Sequence, residues 1–398
     1  MKILQLSPRV PFPEDDGGKI GIANITKELS KLGAEVTLLY YFDDEQDLEI
    51  PDYAYEYAEI IPVNHSTRNS LFRIASSYLL KKSLYKEKHF SSAVRNYIDH
   101  FLKDREFDII HCDHTGMVEL GLYCQSILKC PIALRLHNLE WKIWDRYAAA
   151  LSKVNPRYPF VRQQADLLKK YETAILSQMD VCFAITDVDK ATAEQMNPKA
   201  NITIASAGVN LDEWTPNPEI IRNPNELIHA TVYRWQHNID AITWFADEVL
   251  PILALNNSDI KLTLLGKSAP EWLKSYHPNI NLLGYVPQVQ EHLNRAGIYI
   301  APLFVGGGIR IKILEAMAME LPVVASPIAA EGIKANESDG LFIANNKDEF
   351  AEHILRLNTN NELREQAGKA AKQFIEKNYT WRANVAIMYD EYLKLMNK

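Results

Sequence analysis

The run Ile298–Ile333, IYIAPLFVGGGIRIKILEAMAMELPVVASPIAAEGI, decides how this chain is read. It opens on a short apolar, β-rich segment, Ile298–Leu303, and passes through three consecutive glycines, Gly306, Gly307 and Gly308. Apolar residues then recur at helical spacing (Ile311, Leu314, Met317) until Pro322 stops the helix, and Pro322–Ala325 reads as a second buried strand. Glycines between a strand and a helix N-terminus let backbone N–H groups approach an anion closely, and the helix dipole favours negative charge there. A helix start ordinarily carries Asp or Glu. Here Arg310 and Lys312 put two cations at that positive end, which suggests a phosphate between them. Glu315, about one turn further on, can accept two hydrogen bonds from a diol such as a ribose. The glycines alone would equally fit a tight βα turn with solvated cations.

Taken whole, G-G-G-x-R-x-K-x-L-E-A-M-A resembles the donor-binding signature of family 4 glycosyltransferases of the GT-B fold. The resemblance implies that the amides of Gly306, Gly307, Gly308 and Ile309 cradle the donor diphosphate. It also implies that Arg310 and Lys312 neutralise that diphosphate and that Glu315 holds the ribose. Many family members carry two glutamates separated by seven residues around this loop. The second is Glu315, while the first position holds Gly307, as in the triple-glycine branch of the family. Glu320 stands where the family usually has glycine.

Length and composition set the frame. A chain of 398 residues is long enough for two domains, and 47% apolar with 24% charged residues is ordinary for a soluble globular protein. The net charge of −8 argues against general nucleic-acid binding, so no nucleic-acid partner is expected. The four cysteines form no C-x-x-C and read as reduced thiols of a cytosolic protein. The start, MKILQLSPRVPFP, is too short an apolar run for a signal peptide, and no 18-residue apolar run follows. Secretion by that route and membrane spanning are therefore not expected.

From the N-terminus, Lys2–Leu6 reads as a buried strand, Lys19–Leu32 as a helix ending at Gly33, and Glu35–Tyr41 as the next strand, a βαβ opening that implies a parallel sheet. Gly17 and Gly18 precede that helix, where an anion can dock, and the resemblance places them near the donor phosphates and the acceptor. Residues 43–59 are acidic and read as a solvated connection. Residues 68–95 are basic and aromatic-bearing, and read as an amphipathic helix that either covers its own domain or lies peripherally on an anionic membrane. Strands Phe107–Cys112 and Pro131–Leu136 follow. The second delivers His137 to the carboxyl end of the sheet, where ligands bind in open α/β folds. R-x-H-N-x-E (Arg135–Glu140) is similar to the family segment whose histidine contacts and positions the transferred sugar, and Arg135 and Glu140 are weaker candidates. Asp187-Val188-Asp189 reads as the cap of the next helix rather than a metal site.

Ala207-Gly208-Val209-Asn210 resembles the family turn that closes the first domain, and Thr215–Asn225, rich in Pro and Asn, reads as the linker. In Thr231–Asn238 the chain keeps Trp235 and Asn238 of the family pattern but has Thr231 for its glycine. Val232 and His237 stand where many members place an Arg and a Lys on the diphosphate, so charge compensation is assigned to Arg234, Arg310 and Lys312. Gly284-Tyr285-Val286 resembles the turn whose backbone recognises the nucleobase.

The expected architecture is α/β: two Rossmann-like domains with parallel sheets facing a central cleft, residues 1–214 for the acceptor and 226–379 for the nucleotide-sugar donor. A C-terminal helix, 380–398, packs back on the first domain, with Trp381 and Tyr389 as anchors. The expected function is retaining, hexosyl-type transfer from a nucleotide-diphosphate sugar to a glycan or lipid-linked acceptor in polysaccharide synthesis, without a metal or other cofactor. His137, Arg310 and Lys312 are the candidate catalytic residues. The expected location is the cytoplasm, with possible attachment to the inner face of the membrane through residues 68–95. Two other readings are a nucleotide-sugar epimerase of the same fold and a catalytically degenerate nucleotide-sugar-binding scaffold.

Overall fold

The computed structural model describes residues 1–14, 17–306 and 308–397, and the chain divides into two compact units: Met1–Ser206 together with the segment from Arg382 onward, and Ala207–Trp381. The first unit is built on a seven-stranded sheet, all pairs parallel, in the order β3-β2-β1-β4-β5-β6-β7. Its strands are β1 Lys2–Ser7, β2 Glu35–Phe42, β3 Glu59–Asn64, β4 Ile109–Cys112, β5 Ile132–Leu136, β6 Val181–Ala184 and β7 Ile202–Ile204. Helices cover both faces, so the central strands are buried without alternation: every residue of β4, β5 and β6 is inside, as in β1 after Lys2. Pairing puts Ile3 between Val36 and Ile109. Cys112, Cys124 and Cys182 lie among the aliphatic residues of this core, and all four cysteines are unbridged.

The second unit repeats the plan with six parallel strands ordered β10-β9-β8-β11-β12-β13. These are β8 Asn223–Ala230, β9 Lys261–Leu265, β10 Ile280–Gly284, β11 Ala296–Ala301, β12 Val323–Ala325 and β13 Leu341–Ile343. In each sheet the winding reverses beside the first strand, between β1 and β4 and between β8 and β11. The carboxyl ends of those strands are where an open α/β sheet leaves a crevice.

Several boundaries differ from the sequence reading. The units part at Ser206–Ala207 and not within 215–225. Val209 N–H donates to Tyr379 O (2.8 Å), Trp381 N–H donates to Val209 O (3.3 Å), and Val209 and Trp214 lie in the core of the second unit. Asn217 N–H donates to Asn294 Oδ1 (2.8 Å), so the Pro- and Asn-rich stretch is bound to that unit as it leads into β8. Pro and Asn report an irregular backbone, and an irregular backbone can still be packed. The C-terminal helix Trp381–Met396 belongs to the first unit from Arg382 on, but its anchor is Tyr392 rather than Tyr389. Tyr392 is fully buried, with its ring against Phe183 and its hydroxyl 2.7 Å from His111 Nδ1, while Trp381 is buried as part of the second unit.

The basic stretch 68–95 is not one helix. It forms helices Leu71–Leu79 and Leu84–Glu87 and leads into a third, Ser92–Phe101, with a break at Lys81, whose φ is +51°. The first helix of the chain starts at Gly17 itself. Thr186, not the Asp pair, caps helix Asp187–Met196, accepting from Asp189 N–H (3.0 Å) while its hydroxyl donates to Asp189 Oδ2 (2.8 Å). Glu320 has φ +56°, a left-handed helix end that suits glycine, and its carbonyl lies so close to Gly368 that a Cβ there would sit 2.3 Å from the oxygen.

Gly208 approaches Trp381 in the same way: a Cβ there would sit 2.3 Å from the Trp381 amide nitrogen. Gly208→Ala should therefore force the backbones apart and lower stability by about 1–3 kcal/mol, read from urea unfolding.

Candidate functional site

In the second unit, β11 is buried throughout and ends at Ala301; the glycine loop leads from it into helix Ile311–Ala318. Gly306 and Gly308 have φ of +151° and +74°, which ordinary side chains resist. A Cβ on Gly306 would stand 1.7 Å from Arg310 Nη2, so the Arg310 guanidinium folds back against the loop and only glycine leaves it room. Gly307, where the family's first glutamate would fall, lies outside the described residues. Ile309 is partly buried against the core. Arg310 occupies the N-cap position, and Lys312 is in the first turn. Lys312 Nζ lies 2.9 Å from Glu315 Oε2 and 5.4 Å over the Trp214 ring. Glu315 is 3% exposed, and burial raises its carboxyl pKa while Lys312 opposes the rise. The sequence assigned these two residues to separate parts of a ligand; the fold joins them as an ion pair.

The loop after β8 meets the glycine loop across the point where the winding reverses. Asn238 Nδ2 donates to Thr231 Oγ1 (3.1 Å) and Val232 O (2.8 Å), pinning the loop. The close backbone approach is made by Gly266, φ +140°, where a Cβ would lie 1.6 Å from Thr231 O. Arg234 stacks on Trp235 (5.3 Å), and the Trp235 and His237 rings are near parallel, 20° apart with centroids at 6.3 Å. The His237 pKa is lowered, first by partial burial and then by the Arg310 guanidinium, which places the neutral imidazole and the guanidinium in one neighbourhood. The sequence reading counted His237 only as a lost lysine. Its place in the first turn of helix Gln236–Glu248 could have been read as a replacement. Gly284 has φ +67°, Tyr285 is 63% exposed with Lys267 Nζ 5.2 Å over its ring, and Val286 rests on the core. Lys267 was missed because a single lysine beside a glycine carries no pattern.

In the first unit, Gly17 and Gly18 form the start of helix Gly17–Lys31. Beyond β4, Asp113 is fully buried. Arg135 Nη1 donates to its Oδ1 (3.0 Å) and Gln5 Nε2 to its Oδ2 (3.1 Å). Burial pushes the Asp113 carboxyl up, but Arg135 together with His111 and His137 outweighs it and holds the carboxyl well below the usual range. Arg135 is 1% exposed and packs under Gly21, so it acts as an interior counter-ion and not as a ligand contact.

His137 follows β5, partly exposed, its ring 6.1 Å from that of His114. His114 holds φ +155°, ψ 149°, a conformation strained for any residue with a side chain. Its Nδ1 accepts from Gly116 N–H (3.3 Å) and lies 2.6 Å from the Tyr85 hydroxyl, which leaves the proton on Nε2, 3.4 Å from Glu140 Oε1. Glu140 opens helix Glu140–Ala150, and Glu172, fully buried, accepts from the Glu140 and Trp141 amides (3.0 and 2.9 Å).

Burial holds His89, His114 and His137 to pKa values of about 3 and lifts Glu140 to about 7 and Glu172 to about 8. The histidines stay neutral where the unfolded chain binds protons, so their contribution to stability is lost as pH falls below about 6.5. Glu140 acts oppositely: the folded state keeps its proton between about 4.5 and 7, which gains stability on acidification. Thermal unfolding at pH 7, 6 and 5 should show a falling Tm, and Glu140→Gln should make that fall steeper.

Two family models match the chain and between them cover most of it: Glycosyltransferase Family 4 at residues 16–213 and Glycosyl transferases group 1 at 226–360. The chain is 26% identical to an uncharacterized 44.6 kDa protein in the cps region of Klebsiella pneumoniae, covering 95% of this chain and 96% of the relative. It is 22% identical to the phosphatidyl-myo-inositol mannosyltransferase of Mycobacterium leprae, covering 84% and 82%. Among solved structures, Anabaena HepE in complex with UDP superposes with a TM-score of 0.67 at 13% identity over 99% and 100% of the two chains. Two parallel Rossmann-like sheets, a glycine loop at the reversal of the second and these matches make one case: the chain is a glycosyltransferase of family 4, with the GT-B fold.

Proposed function

We propose that the protein is a retaining, hexosyl-type glycosyltransferase that moves a sugar from a nucleoside-diphosphate sugar to a glycan or lipid-linked acceptor. The observation that carries this reading is the meeting of Arg310, Lys312 and His237 around a glycine loop that opens a helix. As the glycosidic bond breaks, the leaving diphosphate gathers negative charge. Fixed cations and loop amides around it stabilise the transition state more than the ground state. These cations would take the place a metal has elsewhere. The amides of Gly306, Gly307, Gly308 and Ile309 would hold the phosphates, and Gly17 and Gly18 are further candidates for donor binding. Arg234, Gly284, Tyr285 and Val286 would frame the nucleotide and Glu315 its ribose. His137 would touch the transferred sugar.

A lipid-linked acceptor suits the surface of helix Leu71–Leu79 and the residues after it. Leu71, Leu79 and Leu80 are 87%, 77% and 65% exposed, beside Arg68, Lys81 and Lys82. Apolar and basic groups together favour peripheral attachment to an anionic bilayer. No described helix is long and apolar enough to cross a membrane.

A thermal-shift screen against UDP, GDP, ADP and CMP with their sugar conjugates tests the donor site. A ligand at a hundred times its dissociation constant should add about 2.7 kcal/mol; no response to any of them would favour a scaffold without catalysis. With the donor so identified, Lys312→Ala should cut turnover by about two to four orders of magnitude, and wild-type turnover would remove Lys312 from the mechanism. Glu315→Gln should weaken nucleotide binding by about tenfold while leaving the unfolding midpoint near that of wild type, measured by calorimetric titration and urea melts.

A further inference from the structure

A loop with consecutive glycines loses more conformational freedom on ordering than one built of other residues, so something has to hold it. Before the glycines, Leu303 is buried in the core of the second unit. Its carbonyl accepts from the Ser326 hydroxyl, whose oxygen in turn accepts from Ala329 N–H (3.1 Å). After them, Ile309 rests on that core and helix Ile311–Ala318 begins. Between these ends stand Phe304 and Val305, 46% and 64% exposed. An exposed apolar side chain by itself means nothing. Phe304 differs because its ring is engaged.

That ring meets Trp244 edge to face, with centroids 4.6 Å apart and planes at 81°. Trp244 is half-buried and meets Phe350 at 5.7 Å and 69°; Phe350, fully buried, meets Phe245 at 6.0 Å and 86°. Four rings thus run from the core to the loop, each edge-on to the next, the arrangement that ring quadrupoles favour. Trp244 lies on helix Gln236–Glu248, about two turns after His237, so the two project from one face of that helix. His237 shares the neighbourhood of Arg310. One rigid helix therefore reaches the glycine loop from both sides, through Trp244 before the glycines and through His237 after them.

We propose that Phe304 and Trp244 are positioning residues of the transfer reaction: their edge-to-face contact holds the glycine loop in the arrangement that receives the donor diphosphate. This role rests on the diphosphate reading of the loop. An aromatic pair of this kind biases the loop by about two- to tenfold, and apparent affinity scales with the fraction of the protein in the competent arrangement.

Calorimetric titration of the full chain with UDP, GDP and ADP tests it. At least one of them should bind the wild type. Phe304→Ala should weaken that nucleotide by about two- to tenfold, while the urea midpoint stays near that of wild type because the side chain removed is half exposed. Trp244→Leu should weaken it by a similar factor. The double variant should lose no more than the larger single loss, since both changes break one contact. Phe304→Tyr keeps the ring and should bind as wild type does. Should Trp244→Leu fail to fold, the two Phe304 variants decide. Unchanged affinity in Phe304→Ala, losses that multiply in the double variant, or a Phe304→Tyr affinity as poor as that of Phe304→Ala overturns the positioning role and leaves the glycosyltransferase reading standing. Binding of none of the three nucleotides to the wild type overturns the diphosphate reading of the loop and this role with it.

Discussion

Charge held away from water at the carboxyl ends of parallel strands is the constraint on which both halves of this protein are built. A parallel sheet covered by helices on both faces buries its strands completely, so polar groups can gather only where the strands end. The Asp113–Arg135 pair lies where β4 and β5 end in the first unit, and the Lys312–Glu315 pair lies in the helix that follows the glycine loop in the second. Removing one member of the Asp113–Arg135 pair costs more than the pair contributes, because both side chains are out of water and the partner is left charged in a poor solvent. The same rule that makes these ends expensive makes them effective. A cation already desolvated and fixed interacts strongly with charge that appears beside it.

The two units solve different problems with one topology. In the second, glycines allow backbone to approach backbone and guanidinium: Gly266 against Thr231 and Gly306 against Arg310. The result is a loop that holds the Arg310 guanidinium against its backbone. In the first, the strand ends carry histidines and carboxyls with raised or depressed pKa values, and His114 is held in a strained backbone conformation. Perturbed titration and strain together mark functional sites more often than structural ones.

His237 shows how a departure from a family pattern can be local compensation. A lysine at that position would reach a phosphate with a flexible stem, whereas the imidazole sits in the first turn of a helix, stacked with Trp235 and electrostatically coupled to Arg310. Glu320 is a departure of another kind. It keeps the left-handed backbone of the glycine it replaces and is tied to Lys372 at 3.3 Å.

The alternation of apolar runs with helical periodicity was enough to foresee two parallel α/β sheets, and the spacing of Gly306–Gly308, Arg310, Lys312 and Glu315 was enough to place the glycine loop on a strand–helix junction. These features are local: each depends on residues within about one helical turn or one strand of its neighbours. What tertiary structure decided is non-local. Arg135 became an interior counter-ion because Asp113, just beyond β4, is its partner. Tyr392 displaced Tyr389 as the anchor of the last helix because His111 lies across from it, and Pro-rich 215–225 was bound rather than free because Asn294 meets it.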